Sequence, residues 1–176
     1  YNTKAKTGGV ALVTERMEHI RSLTYESVGT VGGIPAGTIP QLEQSSLNGV
    51  NYTIRTLVQY EDAPEDGLDT FDENGITADY KVVKVEVLWS IRSNSRSTFA
   101  VTRISPTGIE SLTGGGTLRV NVFDATAQAI QGATVHIENS TLNPAVDVTV
   151  TTNAAGSVAF PGAPAGAEYE ITVTKD

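Results

Sequence analysis

The residues of this sequence with the clearest capacity for chemistry are carboxylates gathered in one segment. Between Glu61 and Asp79 lie eight acidic side chains and no basic one. Ca²⁺ binds hard oxygen donors, and a bound cation would relieve the repulsion among these charges. The segment therefore predicts a calcium site, although its spacing does not match an EF-hand. The candidate ligands are Asp66, Asp69, Asp72, Asn74 and Asp79.

The alternative for this acidic segment is a solvated loop whose internal repulsion is screened by salt. The chain carries 20 acidic and 12 basic residues, for a net charge of −8, and the acidic segment accounts for the whole excess. No stretch of the sequence interleaves basic and aromatic residues. We therefore expect no nucleic-acid partner for these residues.

The sequence contains no constellation that is typical of an enzyme. It has no cysteine, and its two histidines, His19 and His136, are far apart and lack a neighbouring nucleophile. Both histidines are predicted to lie on the surface. Carboxylate pairs for glycoside hydrolysis need rigid placement and one raised pKa, which a polar loop does not supply. We predict that the chain is not an enzyme.

The elements that would position the acidic segment begin with one amphipathic helix, predicted over residues 10–28. Its apolar residues recur at helical spacing and form one stripe: Val10, Val13, Met17, Ile20 and Leu23. Residues 1–9 are either a frayed start of this helix or a tail, because each glycine of Gly8-Gly9 costs a helix about 1 kcal/mol relative to alanine. A connector rich in glycine and proline, residues 29–40, ends the helix.

Three strands are predicted after the connector, over residues 51–60, 81–91 and 98–104, where apolar and polar residues alternate. Trp89 continues the apolar face of the second strand and is predicted to lie in the core. Asn48-Gly49 predicts a turn before the first strand, whereas the residues from Leu42 onward are ambiguous. Consecutive strands with one apolar face predict an antiparallel meander packed against the helix.

The sequence pattern of the second half of the chain differs from that of the first, with short predicted strands and many small residues. The sequence Thr-Gly-Gly-Gly at 113–116 predicts a linker between a first domain, 1–112, and a second domain, 117–176. Regular short strands with glycine turns predict a β-sandwich. The predicted strands are 117–123, 133–138, 146–151, 157–160 and 169–174. The predicted fold class is α+β, with an N-terminal helix packed on an antiparallel meander and followed by an all-β sandwich.

The first domain resembles the globular region of a type IV pilin or pseudopilin. The resemblance covers residues 10–104 and is carried by ERMEHIRSLTY at 15–25, NGVNYT at 48–53 and DYKVVKVEVLW at 79–89. Members of that family carry an apolar N-terminal segment that anchors the subunit and then packs in the filament core. No such apolar run occurs in this sequence, so we expect that segment to precede Tyr1. Pseudopilins also often carry a calcium site in a comparable loop.

The second domain resembles the carboxypeptidase-regulatory-like, transthyretin-type sandwich. The resemblance is carried by LRVNVFD at 118–124, GATV at 132–135, TNAAG at 152–156 and YEITV at 169–173. In that family such modules are non-catalytic appendages of cell-surface proteins.

Together the resemblances imply a structural subunit of a type IV pilus or pseudopilus at the cell surface, with other pilin subunits as partners. They also imply membrane anchoring before assembly, through the upstream segment alone. The alternative is an adhesin that binds carbohydrate or protein through the second domain or the acidic segment.

Overall fold

The fold is α+β, with one N-terminal helix followed by antiparallel sheets. A computed structural model describes residues 2–64, 78–91, 93–107 and 115–175. A single 3₁₀ turn, Tyr25–Ser27, follows the helix. The elements are α1 (Asn2–Arg21), β1 (Leu42–Leu47), β2 (Val50–Glu61), β3 (Tyr80–Ile91), β4 (Asn94–Ile104), β5 (Leu118–Asn121), β6 (Thr134–Asn139), β7 (Val146–Thr151), β8 (Ser157–Phe160) and β9 (Glu170–Thr174).

The first sheet has four antiparallel strands in the order β1-β2-β3-β4, one strand more than the sequence predicts. The additional strand, β1, forms a hairpin with β2 through the turn at Asn48-Gly49, whose φ angles of 56° and 77° are those of a type I′ turn. That predicted turn is confirmed. The third predicted strand, 98–104, starts four residues too late, because Asn94 already pairs with Ile91.

Helix α1 packs across β3 and β4 and buries one face against the sheet. Val13, Met17 and Ile20 are at most 5% exposed, as the stripe predicts. Val10 is 46% exposed, and its predicted place in the core is wrong because Ala5 and Leu12 complete the buried face instead. The helix also begins eight residues before its predicted start and ends at Arg21 rather than Val28.

Two glycines inside α1 explain why the helix extends so far toward the N-terminus. A Cβ on Gly8 would overlap the hydroxyl of Tyr52, and a Cβ on Gly9 would lie 2.8 Å from Cζ3 of Trp89. Tyr52 also donates a hydrogen bond of 2.9 Å to the carbonyl of Ala5. The two aromatic rings therefore fill the space that the glycines leave, and this packing outweighs the local penalty of glycine in a helix.

The five strands predicted in the second half are all present, in two small sheets with the orders β5-β8 and β7-β6-β9. Both sheets contribute to a second apolar core, which includes Val158 from β8 and Val135 and Ile137 from β6. The predicted linker at 113–116 lies partly outside the described residues. Within the described part, the carbonyl of Gly116 accepts a hydrogen bond of 3.0 Å from Ala163 N–H.

Candidate functional site

The base of the acidic segment is closed by hydrogen bonds between its two ends. Asp79 N–H donates to the carbonyl of Glu61 at 2.9 Å, and Ala63 N–H donates to Oδ2 of Asp79 at 2.6 Å. Asp79 is thus the one predicted calcium ligand whose position is described, and its carboxylate caps the backbone of the opposite end. The other four, Asp66, Asp69, Asp72 and Asn74, lie outside the described residues.

The described ranges contain no group of three histidine, aspartate or glutamate side chains arranged to hold a metal ion. Since the predicted ligands are largely outside those ranges, the calcium site remains a prediction.

A cleft of about 270 Å³, the junction cleft, lies beside the base of the acidic segment. Its lining joins residues from both halves of the chain, among them Ile34, Gln59, Glu61, Arg119, Asn153 and Ser157. Burial raises the pKa of Glu61, while the positive charges of Arg103 and Arg119 oppose that increase. The cleft therefore combines a partly buried carboxylate, a guanidinium and neutral hydrogen-bonding groups, which suits a small polar ligand.

The connector, residues 29–40, holds the two halves of the molecule together. Ile34 is 5% exposed and belongs to the second core rather than the first. The carbonyl of Gly32 accepts a hydrogen bond of 2.7 Å from Thr149 N–H on β7. Two glutamines add to this contact: the Nε2 atoms of Gln41 and Gln59 donate to the carbonyls of Thr149 and Thr151 at 3.0 and 2.6 Å. The connector and the two glutamines thus cover the outer edge of β7, and Ile34 and Gln59 also line the cleft.

Lys81 is a buried cation near the cleft that the sequence analysis does not single out. It is 2% exposed and donates hydrogen bonds to the carbonyls of Tyr25 and Val28 at 2.8 and 2.9 Å. Its Nζ also lies 4.3 Å from the centroid of the Tyr25 ring, within range of a cation–π interaction. A signal for this burial is present in the sequence, because strand alternation places Lys81 on the same face as Val83.

Neither histidine lines this cleft. His19 is exposed on α1. His136 lies on the outer face of β6, where its Nε2 is 2.8 Å from Oδ1 of Asp147. This hydrogen bond raises the pKa of His136. Trp89 is 6% exposed, so its predicted place in the core is confirmed.

Comparisons with known proteins do not assign the chain to a family: no family model, curated protein or solved structure matches it. In the part of the chain that the structure describes, no helix combines the length and apolar character needed to span a membrane.

Proposed function

We propose that this chain is the outward-facing part of a structural subunit of a type IV pilus or pseudopilus, with residues 117–176 as an accessory sandwich domain. The observation that carries the proposal is the packing of α1 along the first sheet. Tyr52 and Trp89 of the sheet pack against the N-terminal half of the helix. In its C-terminal half, Met17 and Ile20 of the helix are buried against the sheet. Contact along its whole length suits a helix that transmits the position of an upstream segment to the sheet.

The mechanism in this proposal is assembly rather than catalysis. An apolar segment upstream of α1 anchors the subunit in the membrane and then enters the filament core. The first sheet fixes the direction of the helix, and the connector holds the second domain against that sheet. The second domain then faces solvent and partners outside the cell.

Immunogold electron microscopy of the source cells tests this function. Antibodies raised against residues 117–176 are expected to label filaments or a surface pseudopilus at regular intervals. Deletion of a prepilin-type cleavage site upstream of the chain is expected to abolish that labelling. Labelling that persists on a filament-free surface after that deletion contradicts the filament function and favours an adhesin.

Calcium binding by the acidic segment is a separate proposal within this function, with Asp66, Asp69, Asp72, Asn74 and Asp79 as the ligands. Removal of calcium is expected to lower the melting temperature, since the eight carboxylates then repel each other without a counter-charge. Melting curves in EDTA and in millimolar CaCl₂ measure the effect, and MgCl₂ is the control for ionic strength. Equal melting temperatures in the presence of EDTA and CaCl₂ contradict the site.

The junction cleft supports a second candidate function, an adhesin that binds a small polar or saccharide group. Its volume of about 270 Å³ and its lining by Glu61, Arg119 and Asn153 are the observations in favour. A glycan array probed with the chain tests this function. Binding that is lost in Arg119→Ala and retained in Arg96→Ala, an exposed arginine outside the cleft, would support it.

A further inference from the structure

Strand β4 is a long strand at the open edge of the first sheet. It spans eleven residues, Asn94–Ile104, and pairs with β3 on one side. Among the described residues, β3 is the one strand to which the backbone of β4 is hydrogen-bonded. The outer edge of β7, by contrast, is covered by Gly32 of the connector and by the side chain of Gln41. An uncovered strand of this length offers a row of unpaired backbone groups to another strand.

Two of the outward side chains of β4 are large, apolar and exposed. Phe99 is 61% exposed and Val101 is 53% exposed, on the sheet face away from α1. Their neighbours across β3 are Glu86 and Lys84, and Nζ of Lys84 lies 5.0 Å from the centroid of the Phe99 ring. The cation covers part of the Phe99 ring, and both side chains remain more than half exposed on this sheet face.

The sequence of β4 is self-complementary when two copies run antiparallel around Ala100. In that register, Phe99 of each copy lies opposite Val101 of the other, and Thr98 lies opposite Thr102. Aromatic–β-branched and Thr–Thr pairs are both favourable across strands. Arg96 and Arg103 lie opposite Ile104 and Ser97, so no two like charges meet. The pairing is isologous and closes on itself, as in most homodimers.

The position of α1 is compatible with this pairing. The helix packs over β3 and β4 alike. If the two β4 strands lie about 4.8 Å apart, the two α1 helices lie about 10 Å apart on the same face of the joined sheet, which is a normal helix-packing distance.

We propose that β4 is the dimerisation edge of this protein, through which a second copy of the chain pairs in the register centred on Ala100. The joined sheet has eight strands, and the two second domains lie at its opposite ends. This pairing rests on β4 itself and does not depend on the filament function.

Sedimentation velocity over a concentration series tests the pairing. The unaltered chain is expected to form dimers, and Phe99→Lys/Val101→Lys is expected to weaken dimerisation at least about tenfold, because lysines then lie opposite each other twice. Leu42→Lys is the matched control, since Leu42 is 61% exposed on the other edge strand. A monomer at every concentration overturns the proposal, as does loss of dimers in Leu42→Lys alone.

Cysteine cross-linking gives a second readout that is specific for the register. The chain has no cysteine, so a single introduced thiol reports one contact. Ala100→Cys is expected to form a covalent dimer on oxidation or with a short bismaleimide. In Ser95→Cys, the two thiols lie about 30 Å apart in this register and should not react with each other. Equal cross-linking at both positions, or none at Ala100, overturns the register.

Discussion

The buried side chain of Lys81 joins the turn after the helix to the sheet. Its ammonium group satisfies the carbonyls of Tyr25 and Val28 from a site that is 2% exposed. Lys81→Met keeps most of the apolar stem and removes these two donors, which is expected to cost about 1–3 kcal/mol of unfolding free energy. Urea denaturation measures the loss. Lys84→Met, on the opposite face of β3, is the control and should change stability by less than about 0.5 kcal/mol. If Lys81→Met lowers the unfolding free energy no more than Lys84→Met does, the two hydrogen bonds of Lys81 do not stabilise the fold.

The pair His136–Asp147 predicts a pH dependence on the outer face of β6. The hydrogen bond to Asp147 raises the folded-state pKa of His136 above its ordinary value. A raised folded-state pKa means that the pair stabilises the fold fully below the ordinary pKa of histidine, and that this contribution disappears as the pH rises through the folded-state value. Asp147→Asn is therefore expected to lower the melting temperature at pH 5 and to have little effect at pH 8. An NMR titration of His136 should show a lower pKa in the variant. A variant with an unchanged titration curve contradicts this account.

At the scale of elements, strand alternation predicts more of this fold than helix propensity does. Residues 51–60 and 81–91 become β2 and β3 almost unchanged, because one face of each strand meets α1 and must be apolar. Strand β1 could not be predicted in this way, since its burial alternates only between exposed and half-buried and its pairing is made by the backbone. The start of α1 could not be predicted either. Gly8 and Gly9 disfavour a helix locally, and their packing against the distant rings of Tyr52 and Trp89 leaves no local signal in the sequence.

The substitution Gly9→Ala distinguishes the effect of helix propensity on stability from the effect of core packing. Propensity alone predicts that Gly9→Ala stabilises α1 by about 1 kcal/mol. The new Cβ, however, lies 2.8 Å from the ring of Trp89, which is held in the core, and overpacking of this kind costs about 1–3 kcal/mol. We expect a net loss of stability and a shift of Trp89 fluorescence. Ala11→Gly, at an exposed position of the same helix, should lose about 1 kcal/mol from propensity without the fluorescence change. A more stable Gly9→Ala variant would mean that the helix does not approach Trp89 this closely.

At the scale of the whole molecule, the junction cleft could not be predicted from the sequence. Its lining runs from Ile34 in the connector to Ala159 in β8, and no local pattern links residues so far apart. A connector rich in glycine and proline is typically a spacer, and its length does not reveal that it covers the edge of β7. The sequence does predict the acidic character beside the cleft, because Glu61 and Asp62 begin the acidic segment. Charge can be read from the local sequence, whereas the walls of the cleft are formed by residues that are distant in the sequence.

Ile34 tests whether the connector is a structural part of the second half of the molecule. Its side chain lies in the second core, although it precedes the first sheet in the chain. Ile34→Ala is expected to lower stability by about 2–4 kcal/mol, because the cavity opens beside Val135 and Val150. Since the first core loses no contact, hydrogen exchange should accelerate in β6 and β7 and remain slow in β3. Val31→Ala, at a connector position that is 59% exposed, is the control and should leave both regions unchanged. Equal acceleration in β3 and β6 would show that the two cores unfold as one unit, whereas no acceleration in β6 would show that the connector does not contribute to the second core.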